Sequence, residues 1–306
     1  MLIDIRYHIS SLAAIFLALG IGIVIGGALF GEDEVIKEQQ RIISGLEQDF
    51  EKLRAERRSL QHTLKSQQVE AQVFRQFQQD IYPVLINGLL KDRKIAIVKT
   101  SEELENCYTG EICEVLQEAG ADVITSIAFT SWAELKFDNQ NLQNLLSEYE
   151  QEKPLSTNLL TGLAEGLALG KASRYLPLFY ELKFLEYEGL PQEAVDSIVL
   201  IGGSNSKSTC RTGLIDLPLI TAAREFGLTV IGVEPLNIQF SYIPQYQKAG
   251  LSSIDNIDTI PGRVALVHAL VGQEKGNYGL KETAQALIPD LSINFPGFER
   301  GVETEG

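Results

Sequence analysis

A chain of 306 residues, 44% of them hydrophobic, carries enough apolar material for a full core beyond its first thirty residues. Its 41 Asp+Glu against 26 Lys+Arg, a formal charge of −15, offer no phosphate-neutralising surface, so nucleic acid is not an expected partner. Three cysteines, one methionine and three histidines, none in a CxxC, HxxxH or HExxH spacing, argue against a zinc module or a disulfide-stapled scaffold, and no repeat of solenoid period stands out.

The run from Ile9 to Phe30 contains no charge. As a helix it would extend roughly 33 Å, matching a hydrocarbon core of about 30 Å. Ahead of it the only basic side chains are Arg6 and His8, with Asp4 offsetting Arg6, unlike the basic start of an export signal. An uncleaved anchor over residues 1–31 is therefore expected, with cleavage near the small residues Gly26 and Ala28 as the alternative. Arg6, Tyr7 and His8 form a collar suited to the headgroup level. Ala18, Gly22 and Gly26, four residues apart, mark a small-residue face for close helix packing. The amine and Arg6 on one side balance Lys37 and Arg41 on the other, so charge alone does not orient the span.

Residues 32–82 predict a coiled-coil stalk. An apolar seam runs through Ile36, Ile43, Phe50 and Leu64 at a positions and Leu46, Leu53, Leu60 and Phe74 at d positions. Gln39, Arg57 and Gln67 interrupt it, which costs stability and can fix register or oligomer number. The seam predicts a homo-oligomer of parallel chains, with a fold-back of the helix on its own domain as the alternative. Pro83 and Asn87-Gly88 are expected to end it.

Residues 83–300 read as an α/β domain, with 301–306 an acidic tail. Strand patterns at 95–98, 123–129, 197–201 and 229–233 alternate with helices at 110–119 and 217–226, each closed by glycine, Gly120 and Gly227. That alternation implies a Rossmann-like parallel sheet covered by helices. Residues 133–188 read as an inserted helical region broken at Pro154 and Pro177, and residues 260–270 as a helix with Pro261 in its first turn.

The opening DIRYHISSLAAIFLALGIGIVIG, with Arg6-Tyr7-His8, Ser11-Leu12, Phe16 to Gly20 and Gly22 to Gly26, precedes the stalk and α/β domain; Ile201-Gly202-Gly203 is a weaker echo. In this order of parts the chain resembles the bacterial family of the mycobacterial copper transport protein B. The resemblance implies an envelope protein held by its first helix in the cell membrane as a single-pass anchor. It places the α/β domain outside the cytoplasm, with a role in copper efflux or copper homeostasis; in mycobacteria the family is assigned to the outer membrane. The residues themselves offer one span and no alternating segments of a transmembrane barrel. Copper(I) prefers thiolate and thioether ligands, and the chain has Cys107, Cys113, Cys210 and Met1.

Cys107 follows the first predicted strand and Cys210 the Gly202-Gly203 strand. A parallel sheet would bring both to the strands' carboxyl edge, where ligands of open α/β sheets bind. The pair is the candidate copper(I) or redox site; three unrelated buried small side chains are the alternative. Gly202 to Thr209, GGSNSKST, looks superficially like a phosphate loop, but Ser206 stands where that loop has glycine, so a turn shaping the sheet edge is expected. No GxSxG, GxGxxG or metal-hydrolase pair is present, and His268, in an apolar stretch, reads as a core histidine. The expected protein is a non-enzymatic, membrane-anchored copper-handling factor. The alternatives are a metal-free scaffold whose α/β domain docks envelope proteins, and an enzyme on a degenerate doubly wound domain.

Overall fold

The computed structural model describes residues 5–29, 32–101, 103–104, 107–130, 155–171, 185–189, 192–272 and 275–291. They fall into two compact units, residues 1–74 and 75–306. In the first, residues 9–29 of the charge-free run lie within helix α1 (Ile5–Leu29), whose stretch Ile5–Gly27 is long and apolar enough to cross a membrane. Helix α2 (Glu32–Ile86) then carries the heptad seam, and every large apolar side chain of that seam is exposed, from 50% at Ile36 to 61% at Leu53.

Pro83 does not stop α2; it lies inside the helix. A proline removes one amide donor, and here that loss falls in the final turn, where Tyr82, Leu85 and Ile86 are held by apolar packing within the second unit. The Asn87 amide still bonds the Pro83 carbonyl at 3.0 Å, and Gly88, at φ +73°, reverses the chain.

The second unit is built on β1 (Lys94–Lys99), α3 (Cys107–Glu118), β2 (Asp122–Phe129), α4 (Leu155–Leu169), β3 (Leu185–Glu188) and β4 (Ser197–Ile201). It continues with α5 (Leu217–Glu225), β5 (Thr229–Val233), α6 (Ile243–Lys248), β6 (Ser252–Ile254), α7 (Ile260–Val271) and β7 (Asn277–Tyr278). The strands form one sheet in the order β3-β2-β1-β4-β5-β6-β7, parallel throughout except for β2 against β3. After β2 and the edge strand β3 the chain returns to the other side of β1 to lay down β4, so a topological switch point lies between β1 and β4.

The period-two alternation of the strands divides the core. Ala96, Val98, Ile198, Leu200 and Val230 face α4, α5 and α6, whereas Ile95, Ile97, Val199, Ile201, Ile231 and Val233 face the end of α2, α3 and α7. Both faces of β1 and β4 are covered, which is why those strands read as continuous apolar runs. Thr259 caps α7 by accepting from the Gly262 amide, and Pro261 sits in its first turn.

Two further expectations change. Helix α3 begins at Cys107, three residues before Gly110. Residues 185–188, expected to be helical, are an antiparallel edge strand, because Leu-Glu-Tyr-Glu alternates with Leu185 buried and Glu186 and Glu188 exposed. Of the expected helical insertion, α4 is observed, while residues 131–154 and 172–184, with Pro154 and Pro177, lie outside the described residues, as does the acidic tail.

Candidate functional site

At the carboxyl end of β1, Lys99 is only 4% exposed and donates through Nζ to the Leu104 carbonyl at 3.0 Å. This curls the connection after β1 so that Glu103 reaches the connection after β4. Glu103 Oε2 accepts from the Asn205 amide at 2.6 Å and the Ser206 amide at 3.1 Å, and Ser204 Oγ is 3.1 Å away. Its Oε1 accepts from the Thr209 hydroxyl at 2.7 Å. Burial pushes the Glu103 carboxyl up, but the bonds from Thr209, Asn205, Ser204 and Ser206 together outweigh it and hold the group below its ordinary value. The phosphate-loop-like GGSNSKST segment is therefore a turn whose donors converge on one of the protein's own carboxylates.

Behind this turn lies a buried polar group. Asp216, 0% exposed, accepts at Oδ1 from the Tyr246 hydroxyl at 2.5 Å and the Thr100 hydroxyl at 2.9 Å, while Oδ2 has no partner among the described residues. Desolvation raises its carboxyl to about 6, against the opposing pull of the Tyr246 and Thr100 bonds. Tyr242 and Tyr246 of the α6 turn meet edge to face, with ring centres 6.3 Å apart. Tyr242 accepts the Arg211 amide at 3.1 Å, which pins the start of the π-helical turn Thr212–Asp216.

Farther along the same edge, Glu234 directly follows β5. Fully buried, it takes the Ser241 hydroxyl, the Tyr242 amide and the Lys281 ammonium. Asp255 directly follows β6 and accepts the Leu280 and Lys281 amides at 2.8 and 3.0 Å. Three of the connections at the carboxyl edge are thus closed by internal carboxylates. Sequence reasoning named none of Glu103, Asp216, Glu234 and Asp255. The available signal was position alone, since three of the four stand within four residues of a strand's carboxyl end.

The two candidate cysteines flank the Glu103 contact. Cys107 opens α3, four residues after Glu103; its side chain lies outside the described residues. Cys210, exposed, comes one residue after Thr209, with Sγ 3.5 Å from Thr212 Oγ1. Cys113 is half-buried among apolar residues of α3, and burial, reinforced by Glu188 and Glu114, pushes its thiol up. Cys107 and Cys113 stand about 120° apart around the helix, so the two positions are on different faces. No three His, Cys, Asp or Glu side chains form a metal-holding group among the described residues. His268, 1% exposed, sits with Nε2 3.0 Å from the Leu85 carbonyl, and burial lowers its pKa although that bond pulls the other way. It is a satisfied core histidine.

Relatives named copper transporter MctB, from Mycobacterium bovis and from two strains of Mycobacterium tuberculosis, are 21% identical over 321 residues, an overlap covering 94% of this chain and 99% of each relative. A family model described as copper transport outer membrane protein, MctB, matches residues 2–289, which takes in α1, α2 and every strand of the sheet, and by that match the chain belongs to the MctB copper transport family.

Proposed function

We propose that this chain is a single-pass, membrane-anchored copper-handling protein of the cell envelope, acting in copper homeostasis or efflux without catalysing a reaction. Its α/β domain stands outside the cytoplasm and takes copper(I) as cargo at the switch-point edge, with Cys107 and Cys210 as thiolate ligands. The observation that carries this reading is the Glu103 contact. It ties the connection after β1 to that after β4, and a cysteine follows closely on each side of the tie. Two thiolates suit copper(I), which accepts low coordination by soft ligands. The family's name adds the metal.

The test is copper(I) affinity of residues 33–306, by competition against a chromophoric chelator under reducing conditions. Removing a ligand exceeds the loss of an outer-sphere partner, itself about 10–100-fold, so Cys107→Ser with Cys210→Ser is expected to weaken binding by about 100-fold or more. Cys113→Ser is expected to leave it unchanged. Equal affinity in the double variant and the parent sinks the cysteine site, and absence of binding in the parent moves the reading to a metal-free scaffold for envelope partners.

We further infer that α2 pairs with α2 of a second copy. Eight apolar seam side chains at a and d positions, from Ile36 to Phe74, are exposed along one heptad stripe, and such a stripe is stable in water only when covered. Sedimentation of residues 33–306 is expected to give an oligomer. The triple change Leu46→Asn, Leu53→Asn, Leu60→Asn should reduce the mass to that of one chain; a monomeric parent contradicts the pairing.

A further inference from the structure

We propose that residues 204–209 form an oxyanion-binding site at the switch point, and that the Glu103 carboxylate is its internal occupant. The receptor is framed independently of Glu103. Ser204 and Phe240 exchange both backbone bonds, at 3.1 and 2.8 Å, and the Thr209 amide bonds the Ser206 carbonyl at 3.3 Å. Gly203, at φ +102°, makes the bend that carries the chain from β4 into this frame.

Within the frame the donors are already aimed. Two successive amides, Asn205 and Ser206, point at one oxygen, and the Thr209 hydroxyl points at the other. Backbone amides set in a concavity bind anions because their N–H dipoles converge without any side chain having to be ordered. Ser204 Oγ and Thr209 Oγ1 are 2.6 Å apart, and each carries a single proton to share among the carboxylate, the other hydroxyl and the Ser206 carbonyl. The receptor thus fits a ligand with two or more anionic oxygens at carboxylate spacing, a small carboxylate or a phosphate.

Because the occupant is tethered to the same domain, a free anion competes against a high effective concentration. Wild-type protein therefore ignores millimolar anions, and the receptor becomes measurable once the carboxylate is removed. This inference does not depend on copper, and its test contains no metal.

The experiment is thermal unfolding of the full chain in detergent micelles, wild type against Glu103→Ala, titrated with sodium phosphate or sodium acetate at ionic strength matched with chloride. E103A is expected to melt below wild type, and either anion should raise its Tm saturably, by about 4 °C at roughly ten times the dissociation constant. Chloride should not move it, wild type should not respond, and adding Thr209→Val to E103A should remove the rise. If E103A folds only when phosphate or acetate is present during purification, that recovery is the same expected result. An E103A protein that responds to both anions no more than wild type does, or that neither anion recovers, overturns the proposal.

Discussion

Gly232→Ala is expected to lower the melting temperature of the α/β domain by roughly 6–12 °C, equivalent to about 3 kcal/mol. Gly232 lies in β5, and the ring of Tyr246 packs directly on its backbone. A Cβ there would meet Cδ2 well inside van der Waals contact and Cε2 at 2.8 Å. Tyr246 is 0% exposed and its hydroxyl is bonded to Asp216, so the ring has nowhere to go. Gly202 receives the same side chain differently, because a Cβ there collides with the Tyr246 hydroxyl and lies 2.7 Å from Tyr242 Cδ2. This difference makes the test sharp. Tyr246→Phe should offset part of Gly202→Ala, with a coupling of about 1 kcal/mol, and should leave Gly232→Ala uncompensated. Urea unfolding of the three single and two double variants beside wild type measures both; equal coupling at the two glycines would mean that the ring is not seated as described.

Wild type is expected to lose roughly 3 kcal/mol of stability between about pH 4 and pH 6 that Asp216→Asn does not lose. The folded carboxyl is raised to about 6, above its value in the unfolded chain, so over that interval the folded protein holds a proton that the unfolded one has released. The stabilising contribution is complete below the unfolded value and disappears as pH rises through the folded one. Glu103, held below its ordinary value, works in the opposite direction, adding stability above its unfolded value and losing it as pH falls through the folded one. The difference between wild type and Asp216→Asn in urea midpoint, followed from pH 4 to 7.5, cancels that background. Parallel curves would show that ionised Asp216 is not desolvated, contrary to its burial and to an Oδ2 with no partner among the described residues.

The central sheet was legible because β1, β4 and β5 are buried on both faces and so read as apolar runs between turn residues. The helices α3, α5 and α7 announced themselves through glycine stops and a proline in the first turn. Strands β6 and β7, of three and two residues, are too short to show a period, and β3 was hidden by its position among helix-forming sequence. At the candidate site, the positions of Cys107 and Cys210 beyond the carboxyl ends of two strands followed from their places in the chain, whereas the pairing of those strands side by side did not. The partnership of Glu103 with Ser204 to Thr209 did not, because it joins segments about a hundred residues apart and depends on the curl imposed by Lys99. Asp216 was illegible for a different reason. Carboxylates are so seldom buried that sequence alone gives no ground to place one behind a turn, and its hydroxyl partners come from β1's end and α6.

The two rims of the sheet are unlike its middle. One is β3, four residues with Glu186 and Glu188 turned outward; the other is β7, two residues long. Short rims give an incoming strand few hydrogen bonds, and at β3 the two glutamates add a repulsive approach. Copies of this chain crowded together can therefore meet at high local density without zipping their sheets into fibres, leaving the choice of neighbour to surfaces with side-chain specificity.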